Sequence, residues 1–419
     1  MQFLHCADIH LDSPLRGLER YEGAPVDEVR GATRRAFRNL IDAALRERVD
    51  FVVIAGDLYD GNWPDFNTGL FFAKGMAELG ESGIAVYGVR GNHDATSQIT
   101  RTLRQPKNVH FLPDLAPGTL TNDDLGLAVH GQSFATPVVL TDLAAGYPGA
   151  VPGLFNLGIL HTALTGRAGH DPYAPTNEAV LRTKGYDYWA LGHVHAREIV
   201  TREPWVVYPG NLQGRHIREA GVKGCELVSV VDGHIATTPL ALDVLRWREL
   251  AVDVTGLANL DALLDHVTTA VRTARTQADG RILGLRLQLH GLSPLQAQLS
   301  ARAAMVAEEL RACVVAAGNG EVWLEKIQNV VRPTLDLARL ASGNDPVGLL
   351  LQELAQLAIN PAELAALSSE VLADLVSKLP AEADDRDAFR VNNPALLQDL
   401  LAQAQAELLD ALAGAGGAP

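Results

Sequence analysis

The chemistry-bearing residues of this 419-residue chain gather where short apolar runs end. At the centre stands Gly192-His193-Val194-His195, directly after the apolar run Tyr188-Trp189-Ala190-Leu191. Two histidines one residue apart cannot both face a core while the backbone stays extended, because side chains alternate along a strand. If the backbone turns at the glycine, they can grip two ions side by side. Other apolar runs end in Asp8 and His10, in Gly56-Asp57, in Gly91-Asn92-His93-Asp94, and in His161. Asp8, His10, Asp57, Asn92, His93, His161, His193 and His195 thus offer two carboxylates, one amide oxygen and five imidazoles. Hard oxygen plus imidazole, with no thiolate, suits manganese, iron or zinc. One carboxylate bridging two ions would hold them roughly 3.5–4 Å apart, the spacing of two-metal hydrolases.

These residues need a scaffold that brings several strand ends to one edge. Gln2–Ala7, Asp50–Ala55 and Ile84–Val89 read as buried strands, each continuous in apolar residues. Asp27–Arg48 and Asn67–Leu79 carry apolar residues at helical spacing between them. Strand, polar loop and helix in repetition predict an α/β layered fold with its chemistry at the strand ends. From Val109 onward the strands shorten: Val109–Leu112, Leu125–His130, Phe155–His161, Tyr186–Leu191, Trp205–Tyr208 and Gly224–Val231. With few helices between them, they predict a second, mostly antiparallel sheet. The expectation is a two-sheet sandwich flanked by helices over residues 1–241. A β-α-β-α-β module should follow at 242–333, with helices at Leu257–Arg275 and Pro294–Arg311. A Ser342–Pro346 linker leads to a helical region at 346–419, built from Val347–Leu357, Pro361–Lys378 and Pro394–Leu412.

Composition narrows the setting. No apolar run is long enough to span a bilayer, and Phe3-Leu4 is too brief for a secretory core, so a cytoplasmic protein is expected. Three scattered cysteines, Cys6, Cys225 and Cys313, argue against a disulfide framework. The net charge is −15, and residues 343–419 carry twelve acidic and three basic residues, a net of −9. A surface that holds nucleic acid alone is usually basic. Affinity for a polyanion would therefore come from bound cations, a few arginines or a partner.

The series Asp8-x-His10, Gly56-Asp57, Gly91 to Asp94, His161 and Gly192 to His195 resembles the signature of calcineurin-like metallophosphoesterases. HCADIHLDSPL, GDLYD, HDPYAP (His170 to Pro175) and PGNLQGRH (Pro209 to His216) narrow the resemblance to DNA-repair exonucleases of the SbcD/YhaO type. These motifs span residues 5–216. The resemblance implies two divalent ions, manganese first, with iron, zinc or magnesium as alternatives. Asp8, His10, Asp57 and His195 would hold one ion. Asp57, Asn92, His161 and His193 would hold the other, with Asp57 bridging. It also implies in-line attack on phosphorus, with His93 protonating or stabilising the leaving oxygen. The partners it implies are DNA and an SMC-like ATPase of SbcC or YhaN type docked on the C-terminal helices. A homodimer through helices flanking the GNHD loop is a further possibility.

Blander readings stand beside these. His170 and His216 are candidate contacts to substrate phosphate, with loop structuring as the other reading; Arg215 and Arg218 are candidate phosphate contacts, with surface ion pairs as the other reading. His5 reads as a buried strand residue or a partner of the ligands, and Asp60 and Asp94 as groups that orient ligands or loops. A phosphodiesterase for small nucleotides, or a phosphoprotein phosphatase, would use the same ligands. It would have no use for the 242–333 module or the helical tail. A scaffold that binds DNA ends or the ATPase without catalysis is the reading from another class, and the intact ligand set speaks against it.

Overall fold

The computed structural model describes residues 1–13, 31–60, 66–96, 104–164, 173–333, 341–378 and 394–415. The start of the expected Asp27–Arg48 helix, at residues 27–30, and His170 both lie outside them. By compactness the chain forms two units. One comprises Met1–Glu249, Ala274–Arg286 and Gly318–Glu325, and the other Leu250–Thr273, Leu287–Ala317 and Lys326–Pro419.

The first unit holds two six-stranded sheets. In chain order its elements are β1 (Gln2–Cys6), α1 (Ala32–Glu47), β2 (Phe51–Ala55), α2 (Phe66–Glu81), β3 (Ala85–Val89), β4 (Val109–Phe111), β5 (Gly118–Asn122), β6 (Leu127–Gly131), β7 (Phe155–His161), α3 (Glu178–Thr183), β8 (Tyr188–Gly192), β9 (Glu198–Arg202), β10 (Trp205–Tyr208), β11 (Gly224–Val231) and β12 (His234–Ala241). One sheet runs β12-β11-β1-β2-β3-β4 and the other β5-β6-β7-β8-β10-β9.

Side-chain alternation builds three layers of core from these sheets. Phe3 pairs with Phe51 and Leu4 with Val52 in the parallel β1–β2 register. Phe3, Phe51, Val53 and Val89 face inward, where they meet Val129, Leu157, Ile159, Tyr188 and Ala190 of the other sheet. Leu4, Val52 and Ile54 face outward and pack on Ala36, Phe37, Leu40 and Ile41 of α1 and Phe72 and Met76 of α2. Trp189, Leu191 and Tyr208 on the far face of the second sheet pack on Tyr147 and Leu181. Most of these side chains are fully buried. Each fully buried Val, Leu, Ile, Phe or Met among them contributes about 1.5–3 kcal/mol relative to exposure.

Two expectations need correction. The second sheet is not mostly antiparallel: β6–β7, β7–β8 and β8–β10 are parallel, and only β5–β6 and β9–β10 are antiparallel. Parallel neighbours need long crossovers, and here irregular chain serves where a helix was looked for, as at residues 132–154 between β6 and β7. Val109 and Gly224–Val231 also belong to the first sheet, where β4 extends β3 and β11 runs antiparallel to β1. An additional edge strand, β12, pairs with β11 around Asp232-Gly233, both at positive φ. Such residues form the two-residue hairpin turn. Its largely exposed side chains leave no apolar run to read.

A three-stranded sheet, β13 (Leu245–Asp253), β14 (Ile282–Leu292) and β15 (Val322–Arg332), follows. Between its strands lie α4 (Leu260–Gln277), α5 (Gln296–Ala301) and α6 (Ala303–Gly318). The helix expected over Pro294–Arg311 is therefore broken at Arg302, whose backbone leaves helical geometry. In the second unit Leu263, Val267 and Val271 of α4 are buried, as are Leu287 and Leu289 of β14 and Leu310 and Val314 of α6. The C-terminal helices are α7 (Pro346–Ile359), α8 (Pro361–Lys378) and α9 (Pro394–Ala415). Asp345 caps α7 by accepting a hydrogen bond from Gly348 N at 2.7 Å, with Pro346 at the first position.

Candidate metal centre

The parallel strands β1, β2, β3, β7 and β8 deliver their carboxyl ends to one edge, and each leads into a sequence-identified site residue. Backbone geometry there is unusual: Asp8, His10, Asp57 and His193 all have positive φ, at 50°, 44°, 51° and 94°. Asp tolerates this region better than most residues, whereas His193 at 94° is strained. The turns swing each side chain off its strand and into the common space. Hydrogen bonds lock them: Asp8 N donates to Gly56 O and His10 N to Asp57 O, both at 3.0 Å. The Asp8 carboxylate accepts from His193 N at 3.0 and 3.1 Å.

Close approach explains two of the glycines. A Cβ on Gly91 would fall 2.2 Å from Asp57 Oδ1, and one on Gly192 would fall 1.9 Å from Ala55 O. Asp94 holds the same loops, accepting from the backbone N–H of Leu58, Tyr59 and Gly91 at 2.9–3.1 Å. Burial, with the neighbouring Asp57 charge, raises its carboxyl to about 6.

The donor atoms converge. Ligand atoms of Asp8, His10 and His195 lie within 4.8 Å of one another, and so do those of Asp8, Asp57 and His161. His10 Nε2 faces His195 Nε2 at 3.3 Å and Asp57 Oδ2 at 3.8 Å. His161 Nε2 stands 2.9 Å from Asn92 Oδ1 and 3.4 Å from Asp57 Oδ2. The ring of His193 lies 5.2 Å from that of His161. Asp57 therefore sits between His10 on one side and His161 with Asn92 on the other.

Tautomers follow from the opposite ring nitrogens. His161 Nδ1 donates to Ala55 O at 2.9 Å, and His195 Nδ1 to Glu219 Oε1 at 2.7 Å. Each ring thereby turns Nε2 into the site as a donor to a cation, the outer-shell arrangement of metal-bound histidine. Burial alone would lower the His161 pKa, but the Asp57 charge and hydrogen bond outweigh it and raise it to about 9. That proton occupies the place a cation would take among the same oxygens. Burial, helped by the Arg215 charge, lowers His10 to about 3, so it stays neutral and able to ligate. Two buried carboxylates beside several imidazole lone pairs fit a pair of divalent cations.

His93 lies at the rim, with 39% of its side chain exposed. Its N–H donates to Asp57 Oδ1 at 3.0 Å, and its Nδ1 is 3.0 Å from Asp60 Oδ1. The Asp60 bond, opposed by partial burial, raises the His93 pKa. Asp60 also accepts from Ser13 Oγ at 2.6 Å and lies 3.6 Å from His10 Nδ1. His5 is buried beneath the site, between Tyr188 Oη at 3.1 Å and Leu191 O at 3.2 Å. Arg215 is turned inward, with Nη2 3.1 Å from Glu219 and Nη1 3.9 Å from Asp60. His216 is half exposed, 3.6 Å from Glu219 Oε1.

Glu219 was not singled out from sequence. It is buried and also accepts from Asn211 Nδ2 at 2.9 Å and Arg215 N at 2.7 Å. Lys223, likewise unremarked in the sequence, donates its ammonium to His195 O at 2.7 Å. The available signal was position alone: both close the loop that begins with Pro209-Gly210.

A helix-flanked pair of mixed sheets with carboxylate and imidazole donors at the strand ends defines a calcineurin-like metallophosphoesterase. Residues 1–197 match the calcineurin-like phosphoesterase family, and residues 247–332 match the middle domain of metallophosphoesterase YhaO. The uncharacterized metallophosphoesterase YhaO of Bacillus subtilis is 38% identical over 299 residues, 70% of this chain and 72% of that one. The chain belongs to the YhaO family of metallophosphoesterases, which implies a metal-dependent hydrolase. More distant similarity reaches the DNA double-strand break repair protein Mre11 of Archaeoglobus fulgidus, 35% identical over 243 residues, 52% of each chain. Mre11 of Methanopyrus kandleri is 27% identical over 228 residues, 50% of this chain and 48% of that one. The chain thus spans about half the length of these two. Among the described residues, no helix is long and apolar enough to cross a membrane.

Proposed function

We propose that this protein is a two-metal phosphodiesterase that hydrolyses DNA, as an exonuclease and in some settings an endonuclease, in DNA repair. The observation that carries the reading is the convergence of Asp8, His10, Asp57, His161 and His195 on one buried space, in a chain similar to Mre11. Asp8, His10, Asp57 and His195 would hold one cation, and Asp57, Asn92, His161 and His193 the other. Manganese suits this mixed donor set. The cations would polarise the phosphoryl oxygens and make water a nucleophile at neutral pH.

The chain's own residues supply the rest. Asp57 fixes the spacing of the two half-sites. His93, held by Asp60, is placed to give a proton to the leaving oxygen. Arg215 and His216, beside Glu219, are candidate substrate contacts, as is His170, which lies outside the described residues. The module at 242–333 would cap the site and meet DNA. The helices of 346–419 would dock on an SMC-like ATPase of SbcC or YhaN type. Leu349 on α7 and Leu367 on α8 are 51% and 46% exposed, and Ile359 at the end of α7 is 75% exposed, which supports a partner there. The setting is cytoplasmic.

The test is manganese-dependent shortening of end-labelled linear duplex DNA by the wild type beside His93→Ala, without ATP or partner. Shortening by the wild type alone supports the reading, and the label reports polarity. A metal-loaded wild type that degrades cyclic nucleotides but no DNA, with or without the ATPase, would sink it.

A further inference from the structure

The short turn Ile217–Glu219 faces two ways. Glu219 points to His195, as described above, while Arg218 and Val222 border a cleft of about 550 Å³. Arg246, Trp247, Arg248 and Glu249 form its other wall. All these residues belong to the first unit. The cleft is firmly built: Trp247 is buried, its indole N–H donates to Gly214 O at 3.0 Å, and Gly221 N donates to Trp247 O at 2.9 Å. One wall is thereby tied to the loop that carries Arg215 and Glu219.

The charge of the cleft runs against that of the chain. Three arginines line it against the single acid Glu249, in a protein of net charge −15. Behind it the buried Asp243 carboxylate holds two guanidiniums, Arg246 at 2.9 and 3.0 Å and Arg281 at 2.7 Å. Arg248 Nη1 donates to the neutral Gln277 Oε1 at 2.6 Å, which orients its fork without cancelling its charge. Arg218 is exposed. Preset guanidinium forks suit phosphate oxygens, and the volume lies within the usual range for ligand sites, about 300–1,000 Å³.

We infer that this cleft binds backbone phosphates of a nucleic-acid strand next to the metal centre. Arg218 and Arg248 meet the oxyanions, and Asp243 holds Arg246 behind them. The inference rests on the phosphodiesterase reading and supplies a basic surface that the composition as a whole lacks.

The experiment measures anisotropy of a labelled single-stranded oligonucleotide with chelated, full-length protein, so that nothing is cleaved. Arg218→Glu and Arg248→Glu are compared with wild type, with melting temperatures as the check on folding. Each variant should raise Kd about tenfold or more, as for one lost charge-assisted contact. The double variant should flatten the dependence of log K on log salt by about 1.4, for two single-strand phosphates. Folded variants with wild-type Kd and slope would overturn the inference. So would a mononucleotide binding as tightly as the oligonucleotide, which would assign the cleft to a free nucleotide. Wild-type hydrolysis of bis-p-nitrophenyl phosphate, read in parallel, tests the metal-centre reading by itself.

Discussion

Glu219 Oε1 lies 2.7 Å from His195 Nδ1, a side-chain contact that helps tie the loop after Pro209 to the candidate metal centre. The carboxylate is buried, which would favour its neutral form, yet the bonds from His195 and Arg215 hold it well below the usual carboxylate range. It is therefore charged, and it fixes both the tautomer and the angle of the imidazole. Glu219→Gln should weaken manganese binding about 10–100-fold, the usual cost of losing such a partner. Titration calorimetry reads this, and equal affinity would show that His195 needs no orienting group.

Asp57 stands between the two half-sites. Asp57→Asn should lose both ions, because an amide offers one neutral oxygen where the carboxylate offers two charged ones. Elemental analysis of the purified variant checks it; a full complement of metal would contradict a bridging Asp57.

His93 faces the rim, 3.0 Å from Asp60, and with His10 and Asp60 it forms a separate group of donor atoms within 4.8 Å of one another that includes neither Asp8 nor Asp57. His93→Ala should keep its metal and lose about 10²–10⁴-fold in turnover, the range for general acid–base groups. Single-turnover assays with elemental analysis separate this from a binding defect. A variant of undiminished rate would remove His93 from the chemistry.

Gly91 leaves no room for a side chain beside Asp57. Gly91→Ala should displace that carboxylate and cost about 1–3 kcal/mol of stability, as overpacking does. Metal content should fall more than the melting temperature suggests. Retained metal would mean that the loop can shift without moving Asp57.

Metal removal should also register in stability. A ligand that binds only the folded state stabilises it by about 2.7 kcal/mol at a hundred times its Kd. Melting with manganese and with chelator should therefore differ, and the difference should vanish in Asp57→Asn.

The site was more legible than the sheets around it. Asp8, Asp57, Asn92 and His193 each follow a glycine-marked or strongly apolar strand, so residue type and position agree. The direction of β7, β8 and β10 was not legible, because parallel pairing was inferred from long intervening helices, and among the described residues only the short α3 stands between β7 and β8 and only β9 between β8 and β10. β12 escaped because an edge strand ending near the surface needs no apolar run. Glu219 escaped because a carboxylate that orients a ligand has no spacing rule; only the fold brings it to His195.

The donors come from strands of both sheets, from Asp8 at one end of the sequence to His195 far along it. A cation pair bound there would fasten the two sheets together much as a cross-link does. It would shorten the conformational reach of an unfolding chain over nearly two hundred residues. A fragment ending before β7 would keep Asp8, His10 and Asp57 but lose the imidazoles of His161, His193 and His195. Metal uptake should then mark the moment when both sheets have closed, which makes it a natural probe of that closure.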